Sequence, residues 1–236
     1  MAYQDQAMRN LPCKRLECDE IWSFCYSKQK NVPADKQGQF GYGDVWTWTA
    51  ICADTKLIPC WMIAPRDAES AKHFMGDLAA RLANRVQLTT DGLHAYLEAV
   101  EGAFQGEVDY ARLVKIYAAD HRIGKPERKY SPGHMTCATK TRVVGNPDRS
   151  KISTSYVERQ NLTMRMNMRR FTRLTNGFSK KVETLGYAVS LHFMYYNFGR
   201  IHKTLRVTPA MEAGISDHVW SLEEIAELVD TYAEAA

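Results

Sequence analysis

A mixed α/β sheet flanked by helices is the fold class this sequence predicts, and three observations lead to it. Strand-like and helix-like stretches follow in the order three strands, helix, strand, helix, strand, then helices, which suits a sheet with helices packed on it. The 236 residues are 45% hydrophobic and 25% charged, ordinary for a globular chain and enough to bury a core. No internal repeat or low-complexity tract breaks the order.

Lys14 to Tyr26 carries the first strand pattern, with Ile21, Trp22, Phe24 and Tyr26 among its aromatic or β-branched positions. Lys28 to Tyr42, polar and broken by Pro33, Gly38 and Gly41, is expected to be a mobile hairpin loop. Asp44 to Cys52 and Lys56 to Ile63 supply two more strands, so the first three form an antiparallel meander. Phe74, Leu78 and Leu82 recur every four residues and predict a helix over Ala68 to Ala83. Val86 to Thr90 is a fourth strand, Leu93 to Val100 a short helix, and Val108 to Ala118 a further strand weakened by its charges. Asp120 to Ser150, rich in Gly, Pro, Lys and Arg, is expected to be an extended or partly disordered insert. Two long helices follow. Ser153 or Thr154 caps the first, whose apolar stripe is Val157, Met164, Met168 and Phe171; the second runs from about Ser179 to Tyr196. Leu222 to Val229, behind Ser221, forms a last amphipathic helix.

The six cysteines (13, 18, 25, 52, 60 and 137) include no Cys-x-x-Cys pair and are expected as small core residues. His134 and Cys137 make half of a zinc site at most, with no second pair evident. No run approaches the roughly 18 apolar residues of a membrane span, and the first residues lack a signal-peptide pattern. A cytoplasmic protein without a membrane partner is expected. Net charge is +4, but unevenly placed: Arg112 to Lys181 holds 17 Lys and Arg against 4 Asp and Glu, a balance of +13 that leaves −9 elsewhere. Over 70 residues, that asymmetry favours a surface facing a polyanion.

Three acidic residues stand where a hard-cation site would need them. Asp19 interrupts an apolar strand, where an unpaired charge is costly. Glu17 and Glu20 are rivals: alternation puts Glu17 on the face of Asp19 and turns Glu20 to the other, and the residues alone leave the choice open. Asp91 follows a strand and precedes Gly92, a context shared with ordinary Asp-Gly turns. Glu158 opens the basic helix; Arg165, seven residues on, lies within about 20° of the same line, and Arg169 continues it. The apolar stripe is displaced by roughly 110°, so Glu158 and Arg165 can face a groove, although a plain surface pair would look the same. Carboxylate sets of this kind suit Mg²⁺ and phosphoryl transfer. His192 is expected to be packed or interfacial, and Trp46 and Trp48, sharing one strand face, to be core.

Asp-Glu-x-Trp at 19–22, Thr-Asp-Gly at 90–92, Val-Glu-Arg-Gln-Asn at 157–161 and Tyr196-Asn197-Phe198-Gly199-Arg200-Ile201-His202 with Thr208-Pro209 resemble the DDE transposases of bacterial insertion sequences, most closely the insertion-sequence-one type. The resemblance covers about Lys14 to Gly214. It implies an RNase H-like fold, a mixed sheet of three antiparallel and then parallel strands flanked by helices. It selects Asp19 over Glu17 and Glu20, and implies Asp19, Asp91 and Glu158 as catalytic residues and ligands of two Mg²⁺ (or Mn²⁺) ions. Arg165 falls where the superfamily places a Lys or Arg seven residues after its Glu. Arg159, Asn161, Arg165, Arg169, Arg170, Arg200 and His202 are the expected DNA contacts. The implied activity is cleavage at transposon ends followed by 3′-OH strand transfer into target DNA, by a nucleoid-associated homo-oligomer. An RNase H-like nuclease without strand transfer and a catalytically silent DNA-binding regulator are the alternatives. The expected organisation is a lead over 1–13, a catalytic domain over 14–214 and a helical tail over 215–236. The 67 residues from Asp91 to Glu158 exceed the compact spacing of many relatives, so about 108–150 reads as a basic insertion. Such relatives usually carry an N-terminal zinc-binding or helix-turn-helix module; here the first catalytic strand starts at about Lys14, so a catalytic fragment, a split-frame product or a decayed copy is expected.

Overall fold

In the computed structural model, residues 2–117, 135–172 and 176–233 are described. Strand β1 (Arg15–Cys25) is central because both of its faces are apolar at alternate positions: Leu16 and Cys18 enter one core, Ile21 and Cys25 the other. β2 (Gly43–Cys52) and β3 (Trp61–Ala64) follow, then helix α2 (Ala68–Ala80), β4 (Val86–Thr90), α3 (Ala95–Phe104) and β5 (Val108–Tyr117). β6 (Met135–Val144) completes a six-stranded sheet in the order β3-β2-β1-β4-β5-β6. β1, β2 and β3 are antiparallel neighbours, β4 and β5 run parallel to β1, and β6 returns antiparallel. The predicted mixed sheet, three antiparallel strands followed by parallel ones, is therefore the observed one.

Helices cover both faces. Phe74 and Leu78 of α2 with Tyr96 and Val100 of α3 close the first core over Trp48 and Leu88. α4 (Ser155–Asn167) and α5 (Val182–Met194) close the second, through Val157, Met164, Leu185, Val189 and Phe193. A π-helical turn at Tyr195–Gly199 ends α5; there Asn197 bonds both the N–H and the C=O of Ile58 at 3.0 Å, tying it to the approach of β3. α6 (Pro209–Glu212) and α7 (Leu222–Ala233) follow. No helix among the described residues is long and apolar enough to cross a membrane.

Several expectations are corrected. The N-terminal lead forms α1 (Ala2–Ala7), and Met8 and Leu11 behind it are buried in the first core. α7, the helix expected behind Ser221, joins that same core through Ile225. The strand expected over Val108 to Ala118 is β5, and β6 is a further strand inside the stretch read as an insertion; residues 118–134 lie outside those described. The loop after β1 contains two short 3-10 turns, Gln29–Asn31 and Ala34–Lys36. The long basic helix stops early: Met168 turns to extended backbone, and a 3-10 turn at Arg169–Phe171 puts Phe171 in the second core. Arg169 therefore leaves the line of Glu158 and Arg165. Five cysteines are buried as expected, whereas Cys137 is exposed on β6; His134 lies outside the described residues.

Candidate functional site

β1 and β4 lie side by side with Cys18 opposite Thr90, the last residue of β4. β1 runs past that end, so Asp19 and Glu20 emerge where the chain leaves β4 at Asp91. Carboxylate oxygens of Asp19, Glu20 and Asp91 lie within 4.8 Å of one another. The Asp-Gly turn reading of Asp91 also holds, since Oδ1 accepts the N–H of Leu93 at 2.8 Å.

Each acid is held differently. Glu20 is buried; it accepts from the Tyr96 hydroxyl and, at 3.0 Å, from Arg66 Nε. The same guanidinium stands 3.7 Å from Asp91 and 4.8 Å over the Trp46 ring. Asp19 accepts the N–H of Glu20 and the Asn161 amide, both at 2.9 Å. Burial, reinforced by the charges of Glu20 and Asp91, pushes Asp19 up to about 7. Glu20 is raised too, by burial first, with Tyr96 and Arg66 pulling the other way.

Glu17, on the same face as Asp19, takes a different part. It is buried and accepts the N–H groups of Tyr156 at 2.7 Å and Val157 at 3.1 Å. A strand carboxylate thus caps α4 at its positive end. Ser153 or Thr154 was expected to cap the helix, and Ser153 shares the task, its hydroxyl accepting the N–H of Ser155 at 3.0 Å. Thr154 is the residue before the helix but makes no side-chain cap; its hydroxyl donates to Glu158 at 2.6 Å. Burial raises the pKa of Glu17 against the pull of its two backbone donors.

Glu158 is not in the group of three. Its exposed carboxylate pairs with Lys115 of β5 and accepts from Thr154, although its charge adds to the upward push on Asp19. Asn161, expected at the DNA, is instead buried one turn along α4 and holds Asp19. Arg165 bonds the C=O of Phe171 at 3.4 Å and Arg170 the Ser179 hydroxyl at 3.0 Å. Arg159, Arg169 and Arg200 are exposed. His202 is partly buried, 3.0 Å from the Thr204 hydroxyl, and its pKa is lowered by burial first and then by Lys56 and Arg200.

The donor set fits a hard divalent cation. Asp19 and Asp91 converge beside Glu20, which is taken up by Arg66 and Tyr96, and two further oxygens, Oδ1 of the Asn161 that holds Asp19 and Oγ1 of Thr49, are buried without a hydrogen bond. Thr49 lies directly opposite Asp19 in the β1–β2 ladder. Buried polar atoms without partners call for an explanation, and oxygen donors of this type are those Mg²⁺ takes. Sequence reasoning missed the parts of Arg66, Tyr96 and Lys115. Their positions follow from the turn into α2, the docking of α3 and the register of β5, none of which leaves a local motif.

No family model matches the chain, and no curated protein matches it. Among solved structures, a cryo-EM structure of a piggyBac transposase synaptic complex with hairpin DNA is similar, at 13% identity and a TM-score of 0.35, over 80% of this chain and 43% of that one. The chain thus spans less than half the length of that transposase chain.

Proposed function

We propose that the chain is the catalytic core of a DDE-type transposase, a metal-dependent polynucleotidyl transferase that cuts DNA and joins the freed 3′-OH to a target strand. The observation that carries this reading is the meeting of Asp19, from β1, with Asp91, beyond β4, while Glu17 docks α4 against the same strand. The motif resemblance and the +13 segment around α4 support it. Asp19, Asp91 and Glu158 would hold two Mg²⁺ or Mn²⁺ ions. Bound ions would supply activation of the attacking oxygen and stabilisation of the leaving one.

The chain's own residues prepare that site. Asn161 orients Asp19, and Glu20 with Tyr96 fixes Arg66 beside Asp91. Glu158 would add a carboxylate to that set on giving up its contacts with Lys115 and Thr154, and the Lys115 ammonium would then be available to a phosphate. Arg159 and Arg165, on α4, meet the backbone of the DNA.

A strand-transfer assay with a pre-cut 3′-OH end and Mg²⁺ or Mn²⁺ tests the reading. Joined product is expected from the unaltered chain, and none from Asp91→Asn or Glu158→Gln. Glu20→Gln, which keeps a carbonyl for Tyr96 and Arg66, should retain measurable joining. Cleavage without joining would identify a nuclease; full activity in Asp91→Asn would remove the metal-site assignment.

A further inference from the structure

Beyond the carboxylates, β1 carries a second feature that the phosphoryl-transfer reading does not use. Trp22 and Phe24 alternate onto the Glu20 face of the strand and are only partly covered. Trp22 pairs across the ladder with Trp46, the ring under Arg66. Phe24 lies 5.8 Å from Trp22 on one side and 4.7 Å from Phe178 on the other, between ring centroids. A row of aromatic rings therefore leads from Arg66, beside Asp91, along β1 to Phe178.

The row ends in a cavity of about 930 Å³, within the range of small-molecule clefts, roughly 300–1,000 Å³. Phe24, Tyr26 and Phe178 line it together with Lys28, Lys30 and Arg169. Its walls are tied together: the Tyr26 N–H donates to the Ser179 C=O at 2.9 Å, and Cys25 bridges Ser179. Tyr26 itself has φ of 66°, a left-handed conformation that a bulky side chain adopts only where surrounding structure holds it. The Lys180 ammonium sits 3.4 Å over the Phe178 ring, so one face of that ring is covered by an exposed side chain that can move off it. Exchanging an exposed cation–π contact for base stacking is favourable, since stacking on an aromatic is the stronger of the two.

We propose that this cavity is a binding site for an unpaired nucleotide of a DNA strand, its base stacked on Phe24 or Phe178 and its phosphate met by Lys28, Lys30 and Arg169. A paired base has both faces occupied within the duplex, so a ring-lined cavity selects one that has left the stack. The proposal rests on the DNA-processing reading above for its ligand, and on the cavity alone for its location.

The test is fluorescence anisotropy in EDTA, without catalysis, comparing a fully paired duplex with one bearing a single unpaired nucleotide. The full chain is expected to bind the second about tenfold more tightly. Phe178→Ala should abolish the preference and Phe178→Trp restore it, which guards against a variant that fails to fold. 2-Aminopurine at the unpaired position should be quenched by the full chain and not by Phe178→Ala. Equal affinity for the two duplexes, or a preference that survives both Phe24→Ala and Phe178→Ala, would overturn the site. Displacement of the oligonucleotide by free dAMP at comparable concentration would overturn it in favour of a mononucleotide. Strand transfer without any preference removes the cavity proposal alone; preference without strand transfer removes the transposase reading alone.

Discussion

His192, on α5, is mostly enclosed; its Nε2 is buried without a hydrogen bond, its ring meets Phe193 edge-on, and the charge felt there is that of Arg200. Burial lowers its pKa from 6.5 to about 4. The fold therefore refuses a proton that the unfolded chain accepts below pH 6.5. Its contribution is complete above 6.5 and is lost as pH falls toward 4, reaching about 2–3 kcal/mol. Urea titrations at pH 7 and 4.5 should show the unaltered chain losing more stability than His192→Gln; equal losses would assign the acid sensitivity elsewhere. At this scale the sequence was partly legible. The placement of Asp19 on the first strand and of Asp91 just past the fourth was readable from strand context, and His192 was expected to be packed or interfacial on the second long helix. The job of Glu17 was not, because its partners are backbone N–H groups 139 and 140 positions away.

Among the elements, α4 depends most on a residue outside itself. Its first turn carries Glu158, and the N–H groups of Tyr156 and Val157 end on Glu17 of β1. Glu17→Ala removes that cap and is expected to lower stability by about 1–2 kcal/mol. Because the same helix presents Glu158 and Asn161, strand transfer should fall by more than the unfolded fraction explains. Denaturation midpoints measured beside joining rates check this, and proportional losses would make Glu17 merely structural. Elements with an apolar period were legible: Val86–Thr90 was predicted with the bounds of β4, and α2 with its start. β6 was not. Its residues are almost all exposed on the sheet's edge, so no alternation of apolar side chains marks it. The end of α4 was misread because Phe171 reaches the core through a 3-10 turn, not by continuing the helix.

For the molecule as a whole, the +13 segment includes β6, α4 and the 3-10 turn after it. DNA binding should therefore be strongly salt-dependent. With six to ten phosphate contacts, affinity for a paired duplex should fall by about 10³–10⁵ between 50 and 200 mM salt. A shallow slope in an anisotropy titration would remove the polyanion-facing surface. The fold class was legible at this scale because element order alone constrains a mixed sheet. The docking of α1 beside the end of α5 was not, since Tyr3, Phe198 and Trp220 find one another only in three dimensions. The Glu17 cap has one more consequence, during synthesis on the ribosome. The carboxylate waits for residues 156 and 157 to emerge before its partners exist, and such distant pairings form late. A nascent or prematurely terminated chain lacking α4 holds Asp19 and Asp91 without the helix beside them. Under the proposed function, an unfinished copy would be unable to cut the DNA from which it is being expressed.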